Sequence, residues 1–559
     1  MLFRVRLCAA ILVALPLLAA HAAAPAPEFL FPAGGKLGAT VSVNVGGKLD
    51  GWPVATWTDH SGLAFKATTN SGIYTVSIGA DVPPGPHLVR FFNGDGASEP
   101  RPFVVGLRDE ILEVEPNDDF RKAQRLDKSA VVINGRLEKA GDVDSFAIQA
   151  EQGKWIVAAV DAYALGSSVD PVVQIVDERG VRVAFNHDTH NLDALAAWQA
   201  DRAGTYTVQV LGFAHPPAAD VAAKGSAAYV YRLTLTTGPF VRFAFPAGVR
   251  RGAKATVTQL GWNLDKPTVT QTVDGTHAQP AEQLIFLPAA LTSDPLWLDI
   301  GEASELVEVE PNDTPGTAQA VTFPATLNGR IGKPGDVDHF AFTAKKNERF
   351  NFQVRAAALH SPLEARLRVE DTNGLSLVQQ EGGDGSDPKL GWNAPADGTF
   401  VLAISDMYGN GGWDHIYRIE QVAPPPSFSA TMSTHAFFLE NGKTNEIKIS
   451  VSRNEGFKEK LTLSVKGLPD GVTAKFAAVP DKSGEVKVEL VASADAKAAG
   501  VPIEILLSAP EVRPPMSRAA TYSLRGGETR GDRLINEGHV AWLTVANKPA
   551  PPPPKKKKG

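Results

Sequence analysis

One acidic passage occurs twice in this chain. Residues 113–146 begin EVEPNDDF and continue through NGRLEKAGDVD to Ser145 and Phe146. Residues 308–340 begin EVEPNDTP and continue through NGRIGKPGDVD to His339 and Phe340. A match of this length and order indicates a repeated folded module. It also groups carboxylates, whose mutual repulsion the module must balance.

The repeat extends upstream of the acidic passages. The first copy follows FLFPAGGKLGATVSV from Phe29, and the second follows FAFPAGVRRGAKATV from Phe243. Each acidic module is therefore preceded by a second, related kind of module. A solenoid would repeat every 20 to 50 residues or so. The much longer period here indicates an array of whole domains.

The N-terminal residues are typical of a secretory signal. Arg4 and Arg6 precede an apolar stretch that ends near Leu18, and Ala20-His21-Ala22 follows. We expect a signal peptide over residues 1–22, cleaved near Ala22, and a secreted or periplasmic protein. An anchoring helix is disfavoured because the apolar run is short. The only cysteine, Cys8, lies in this segment, so we expect no disulfide in the mature chain.

The charge of the chain limits its partners. The formal net charge is −7 over 559 residues, and four of the lysines lie together at 555–558. An acidic array disfavours nucleic acid as a partner. No later apolar run is long enough to cross a bilayer, which predicts no transmembrane segment in the mature chain.

The rest of the sequence has the alternation of half-buried strands. Runs such as 73–78, 205–210 and 446–451 alternate apolar with polar residues, and turn residues separate them. We therefore predict an all-β fold, a tandem array of antiparallel β-sandwich domains, with only a short helix after each EPND. The predicted boundaries are 25–106 and 239–304 for two immunoglobulin-like modules, 107–237 and 305–423 for two acidic modules, 427–548 for a C-terminal immunoglobulin-like module, and 549–559 for a disordered Pro/Lys tail.

The acidic modules resemble a known family. The E-x-E-P-N-D start, the N-G-R and G-D-V-D-x-F segments, and Gly204-Thr205-Tyr206 or Gly398-Thr399-Phe400 near the end are similar to the bacterial pre-peptidase C-terminal domain. The resemblance implies a β-sandwich that accompanies secreted peptidases. It also implies calcium binding by the acidic motif, as in relatives attached to collagenases.

The residues alone suggest the same ion. In an extended segment Glu113, Glu115 and Asn117 project to one side, and a fold that returns the GDVD turn to them adds Asp142 and Asp144. Oxygen ligands without sulfur suit Ca²⁺ better than Zn²⁺. The candidate ligands are Glu113, Glu115, Asn117, Asp118, Asp142 and Asp144 in the first copy, and Glu308, Glu310, Asn312, Asp313, Asp336 and Asp338 in the second.

A purely structural role for these residues is the alternative. Asn117 or Asp118 would then cap the short helix, Asp142 and Asp144 would form turns, and the glutamates would be solvated. We place the aspartates at the rim of the module rather than in its core, so their removal is expected to leave the metal-free fold intact.

Other candidate sites are weaker. The segment 186–190, NHDTH, reads as a polar loop, because adjacent residues in one turn rarely converge on a metal. Trp52, Trp57, Trp392 and Trp413 suit a sandwich core better than a glycan or peptide platform. No HExxH or GxSxG motif occurs, so we assign no catalytic residue.

The sequence therefore predicts a secreted, non-enzymatic scaffold that binds an extracellular or envelope protein or polysaccharide. Two alternatives remain. One is a cryptic secreted hydrolase, with its site in 427–548 or at a module junction. The other is an accessory subunit of a secreted peptidase. A closed polar pocket with a nucleophile and a base in reach would favour the hydrolase.

Overall fold

The predicted fold class is confirmed: the molecule is all-β and is built from tandem pairs of mainly antiparallel sheets. The computed structural model describes residues 23–189, 192–214, 223–264, 270–274, 284–288, 295–383, 386–421, 427–454, 456–513, 515–525 and 534–547. The expected signal peptide and tail lie outside these residues. The described part contains no helix long and apolar enough to cross a membrane.

The first sandwich contains nine strands. They are β1 Ala26–Phe31, β2 Gly34–Lys36, β3 Thr40–Lys48, β4 Ala55–Thr58, β5 Leu63–Ala67, β6 Ile73–Ile78, β7 Gly85–Asn93, β8 Gly96–Ala97 and β9 Arg101–Gly106. The sheet orders are β1-β3-β6-β5 and β2-β9-β7-β4, with β8 beside β7. In β6 the alternation predicted from sequence is observed, because Tyr74, Val76 and Ile78 point into the core.

The second sandwich carries the first acidic passage. Its strands are β10 Glu110–Leu112, β11 Gln124–Arg125, β12 Ala130–Arg136, β13 Asp144–Ala150, β14 Trp155–Asp161, β15 Val169–Val176, β16 Arg182–Asn186, β17 Leu195–Gln199, β18 Gly204–Ala214 and β19 Val230–Thr236. The sheet orders are β10-β12-β19-β14-β17 and β11-β13-β18-β15-β16. The short strands β10 and β11 pair in parallel with β12 and β13, so the acidic segment between them crosses from one sheet to the other.

The third sandwich is smaller, and the fourth repeats the second. The third contains β20 Phe240–Phe245, β21 Gly248–Arg250, β22 Lys254–Trp262, β23 Thr270–Asp274, β24 Leu284–Pro288 and β25 Pro295–Gly301. The fourth contains β26 Glu305–Val307, β27 Gln319–Ala320, β28 Ala325–Arg330, β29 Val337–Ala344, β30 Arg349–Arg355, β31 Ala365–Glu370, β32 Ser376–Glu381, β33 Lys389–Asn393, β34 Gly398–Asp406 and β35 Ile416–Gln421. Its sheet orders, β26-β28-β35-β30-β33 and β27-β29-β34-β31-β32, match those of the second sandwich strand for strand.

The fifth sandwich has the largest apolar cluster. Its strands are β36 Ser427–Thr431, β37 Ala436–Glu440, β38 Thr444–Asn454, β39 Thr462–Lys466, β40 Val472–Phe476, β41 Gly484–Ala492, β42 Ala499–Ala509, β43 Met516–Ala519, β44 Tyr522–Arg525, β45 Leu534–Gly538 and β46 Ala541–Ala546. The order of these sheet pairs follows the predicted order of modules. The boundaries of independently folding units stay a prediction.

The prediction of a short helix after each EPND is wrong in the type and the length of the element. Single 3-10 turns stand there instead, at Phe120–Lys122 and Pro315–Thr317. Asp119 caps the first turn by accepting the Arg121 amide at 3.0 Å, and Thr314 caps the second. Neither Asn117 nor Asp118 is the cap, so the oxygens of the acidic motif are left for another role.

The FPAG segments attach each leading sandwich to its acidic sandwich. The Arg136 guanidinium lies 4.8 Å from the Phe31 ring centre, and that of Arg330 lies 4.9 Å from Phe245. These arginines belong to the two NGR motifs. The motifs shared by the repeats therefore form the contact between two neighbouring sandwiches.

A second arginine strengthens each of these junctions. Arg232 donates two hydrogen bonds of 2.8 Å to Glu110, and a side chain at Gly34 would collide with it. Arg418 occupies the equivalent position in the fourth sandwich, with Asp299 and Glu305 as its partners. Because Arg418 is 0% exposed, its charge is compensated by these two carboxylates and by Glu420, 3.7 Å away, rather than by water.

The fifth sandwich folds back onto the first. The rings of Phe92 and Trp542 lie 4.3 Å apart, and Arg90 is fully buried between the two sandwiches. Arg90 donates to the Tyr522 hydroxyl at 3.1 Å and lies 3.1 Å from His435 Nδ1. Burial, followed by the Arg90 charge, lowers the pKa of His435 to about 4. At neutral pH this imidazole is therefore uncharged, and its Nδ1 accepts from the Arg90 guanidinium.

Candidate metal centres

Two segments of the second sandwich converge on one acidic cluster. The EVEPND segment lies between β10 and β11, and the loop between β12 and β13 carries Asp142. Asp144 is the first residue of β13. The parallel pairing of β10 with β12 and of β11 with β13 fixes these segments side by side. The GDVD turn therefore lies beside the EVEPND segment, which is the condition that the candidate calcium site requires.

Three carboxylates of the first copy can hold a metal ion. Glu115, Asp142 and Asp144 each offer an oxygen, and these oxygens all lie within 4.8 Å of one another. Glu115 is exposed and the two aspartates are buried. Asn117 is 1% exposed, and Glu115 Oε2 accepts its backbone amide at 3.0 Å. The cluster thus has a solvent side at Glu115 and a buried side at the aspartates.

The buried side contains polar atoms without a hydrogen-bond partner. Oδ1 of Asp142, Oδ1 of Asp144 and both side-chain polar atoms of Asn117 have none. Buried oxygens of this kind are costly unless a donor or a cation satisfies them. A hard cation suits this set, because every potential ligand is a carboxylate or amide oxygen.

The remaining two predicted ligands of the first copy lie beside the triad. Glu113 Oε2 accepts the Arg136 backbone amide at 2.8 Å. The Tyr231 hydroxyl lies 3.5 Å from the same Glu113 oxygen and donates to Asp144 Oδ2 at 2.6 Å. Asp118 lies at the rim, with its Oδ2 3.6 Å from Lys139 Nζ. Lys139 Nζ is also 3.6 Å from Asp142 Oδ1, so its charge partly balances the cluster.

The second copy repeats this arrangement. Oxygens of Glu310, Asp336 and Asp338 again lie within 4.8 Å of one another. Oδ1 of Asn312 lies 3.1 Å from Glu310 Oε2 and 3.1 Å from Asp338 Oδ1. Three such oxygens repel one another unless a cation lies between them or the amide rotates to donate. Asp313 pairs with Lys333 at 3.1 Å, as Asp118 faces Lys139 in the first copy.

A buried Glu–Asp pair lies next to each triad. Burial, followed by the charge of Asp144, raises the pKa of Glu113 to about 10, and burial raises that of Asp144 to about 7. In the second copy burial raises the pKa of Glu308 to about 7 and, with the charge of Glu308, that of Asp338 to about 9. Without a cation each pair therefore retains a proton at neutral pH.

The aspartates are not at the rim, which corrects one expectation from the sequence. Asp142 and Asp144 are both 0% exposed. Asp142 Oδ2 accepts the backbone amide of Glu138, and Asp144 accepts the Tyr231 hydroxyl. Alanine at either position would leave a buried donor without its acceptor, so it would damage the metal-free fold.

The raised pKa values of the two Glu–Asp pairs predict how the stability of the acidic sandwiches varies with pH when a chelator removes metal ions. A carboxyl whose pKa is higher in the folded state stabilises the fold below its unfolded pKa of about 4, and this contribution is lost as pH rises through the folded value. In EDTA, we expect these pairs to lower the melting temperature of the acidic sandwiches between about pH 6 and pH 9. Circular dichroism melts across this range measure it. A melting temperature that rises throughout would contradict the inferred protonation.

Several of the other candidate residues have structural roles. In the loop 186–189, Asn186 Oδ1 accepts the Thr189 hydroxyl at 2.8 Å and the Leu195 amide at 3.1 Å; His190 lies outside the described residues. Trp52 packs against Tyr74, and Trp392 packs within the core of the fourth sandwich.

Comparisons with known proteins cover parts of the chain. No protein-family model matches it. A probable subtilase-type serine protease of Deinococcus radiodurans is 34% identical over 99 residues, which span 17% of this chain and 14% of that protein. The crystal structure of the pre-peptidase C-terminal domain of a Bacillus anthracis collagenase overlaps 21% of this chain and 100% of that domain, with 13% identity and a TM-score of 0.17.

One further structural likeness covers more of the chain. It is to the Bacteroides ovatus mixed-linkage glucan utilization locus protein SGBP-B in complex with a heptasaccharide, and it covers 72% of this chain and 76% of that one. The identity is 8% and the TM-score 0.14. Similarities this low establish neither an activity nor a ligand for this chain.

Proposed function

We propose that this chain is a secreted, non-enzymatic scaffold whose two acidic sandwiches are pre-peptidase C-terminal-like modules stabilised by calcium. In this proposal the array binds an extracellular or envelope protein or polysaccharide. The observation that carries the proposal is the twofold recurrence of an oxygen-only triad beside a buried asparagine, Asn117 in one copy and Asn312 in the other.

Calcium fits this cluster better than magnesium. Each triad supplies three carboxylate oxygens, which leaves roughly three to five positions of calcium coordination for the asparagine side chain, water or backbone. Magnesium requires near-ideal octahedral geometry and sheds its waters reluctantly. With a Kd of about 10⁻⁴–10⁻³ M, typical of extracellular modules, millimolar calcium adds about 0.5–2 kcal/mol per site.

A calcium-dependent melting transition tests this proposal. The mature chain is heated with EDTA, with 2 mM CaCl₂ or with 2 mM MgCl₂. We expect the transition of the acidic sandwiches to occur several degrees higher in calcium than in EDTA, and magnesium to produce little of this shift. Equal transitions in all three conditions would assign the carboxylates to the fold alone.

The proposal also predicts that the mature chain does not hydrolyse polymers. The junction of the first and fifth sandwiches contains a histidine, but His435 faces the Arg90 guanidinium and its pKa is lowered. Incubation with casein, gelatin, model esters and soluble polysaccharides should give background turnover only. Activity that copurifies with the chain and disappears on substitution of a single Ser, His or Asp would establish the hydrolase alternative.

An accessory role with a secreted peptidase is the second candidate. The local identity to the Deinococcus radiodurans protein favours it, because that protein is named as a probable serine protease. In this role the chain would bind the peptidase or its substrate and perform no chemistry itself. Addition of the mature chain to a purified peptidase from the same envelope would then change its rate on gelatin.

A further inference from the structure

The second sandwich has a cleft lined by two tryptophans at its β14–β17 edge. The cleft has a volume of about 550 Å³ and is lined by residues 152, 153, 155 and 198–201. Trp155 and Trp198 are half-buried, whereas Gln152, Gln199 and Asp201 are exposed. Among the described residues, no lysine or arginine lines it. We propose that this cleft binds a neutral polysaccharide chain by stacking sugar rings on Trp155 and Trp198.

The polar lining suits hydroxyl groups. Gln152 Nε2 donates to the Asp201 carbonyl at 3.1 Å, and Gln199 Nε2 donates to the Gly153 carbonyl at 3.0 Å. Each amide is thereby held in place by its nitrogen while its Oε1 has no partner among the described residues. Asp201 accepts the Tyr206 hydroxyl at 2.8 Å through Oδ1 only. Three acceptors beside two indole rings match a ligand that donates from several hydroxyls.

Trp155 is held firmly at the edge of the cleft. Its amide donates to Asn263 Oδ1 at 2.8 Å, and Asn263 Nδ2 donates to the Trp155 carbonyl at 2.7 Å. Asn263 follows β22 of the third sandwich, so two sandwiches fix the backbone at this position. A half-buried indole on a fixed backbone loses little conformational entropy when a ligand stacks on it.

The fourth sandwich shows that the fold does not require Trp155. Trp155 pairs with Gln199 in the second sandwich, and Arg349 pairs with Asn393 at the same place in the fourth. Trp198 corresponds in the same register to Trp392, and both pack against their cores. Trp198 and Trp392 therefore have the same packing role in their two sandwiches. Trp155 has no tryptophan counterpart in the fourth sandwich, where Arg349 takes its place. This difference makes Trp155 the stacking residue whose substitution tests the proposal with the least risk to the fold.

The absence of a cation in the lining argues for a neutral polymer rather than an acidic one. An anionic polysaccharide would meet Asp201 without a compensating lysine or arginine. The inference rests on the binding role proposed above and names its ligand class. It does not depend on calcium, because the cleft uses none of the triad residues.

Affinity electrophoresis tests the proposal with defined probes. The mature chain is run through native gels that contain barley β-glucan, dextran, galactomannan, alginate or gelatin. We expect retardation by at least one of the three neutral polysaccharides and a change in tryptophan fluorescence on its addition. Trp155→Arg, which copies the fourth sandwich, should weaken retardation at least fivefold, and Gln152→Ala with Gln199→Ala should weaken it in part.

Matched controls separate this site from the others. Arg349→Trp in the fourth sandwich and Arg366→Met in a surface ion pair of the same sandwich should both leave retardation unchanged. Retardation that persists in Trp155→Arg and in the double glutamine variant would overturn the proposal, as would retardation by gelatin or alginate alone. No retardation by any of the three neutral polysaccharides would also overturn it, and would leave the calcium result untouched.

Discussion

Replacement of Arg418 by methionine is expected to destabilise the junction of the third and fourth sandwiches by about 3 kcal/mol. Arg418 is 0% exposed and Asp299 is 2% exposed, so the substitution leaves a buried carboxylate without its main partner. Arg355 lies 3.3 Å from Asp299 and still balances part of its charge. The expected loss is therefore at the lower end of the range of about 3–5 kcal/mol for a broken buried ion pair. Hydrogen exchange of the β35 amides in the mature chain measures the change.

Arg366→Met is the matched control for this prediction. Arg366 lies in the same sandwich and pairs with Glu381 at 2.7 Å, but both side chains are about a third exposed. Surface pairs contribute about 0–1 kcal/mol, so this variant should change little. If both variants lose the same protection from hydrogen exchange in β35, the ion pairs of Arg418 do not stabilise the junction.

Asp338→Asn is expected to abolish the calcium response of the fourth sandwich and to stabilise its calcium-free form. Asparagine has the same shape and still accepts the Tyr417 hydroxyl, which lies 2.6 Å from Asp338. The substitution removes the Asp338 carboxylate, so the repulsion between the Glu308 and Asp338 charges is lost. The calcium-dependent gain of about 0.5–2 kcal/mol should disappear, and the melting temperature in EDTA at pH 8 should rise.

Asp313→Asn provides the comparison within the same module. Asp313 lies at the rim, where it pairs with Lys333 outside the triad. Its substitution should leave most of the calcium response in place. A lower melting temperature of Asp338→Asn in EDTA would contradict the repulsion that we infer, and a retained calcium response would contradict the assignment of the triad.

The strand pattern could be read from sequence, but the junctions could not. Period-two alternation identifies β6 and β38 directly, because each buries every second residue. Arg232 and Arg418, in contrast, find their partners more than 100 residues away. Their roles follow from the antiparallel registers of β12 with β19 and of β28 with β35, which a single sequence does not reveal.

The same limit explains what was predicted of the acidic site and what was missed. The sequence analysis made the meeting of Asp142 and Asp144 with Glu115 conditional on the return of the GDVD turn, and the structure shows these three carboxylates together. It could not show that the last strand supplies Tyr231 to cover Asp144, which makes the site buried rather than rim-like. The tryptophan cleft was also missed, since Trp155 and Trp198 meet only through the pairing of β14 with β17.

Calorimetric titration of the chain with calcium shows whether the two triads bind this ion. If each triad binds one ion, as proposed, we expect two equivalents for the wild type, one for Asp338→Asn, one for Asp144→Asn and none for the double variant. Millimolar magnesium should not replace calcium in these titrations. No heat and no thermal shift at millimolar calcium would contradict the proposed calcium sites. The two clusters would then be structural carboxylates, balanced by protons and by Lys139 and Lys333.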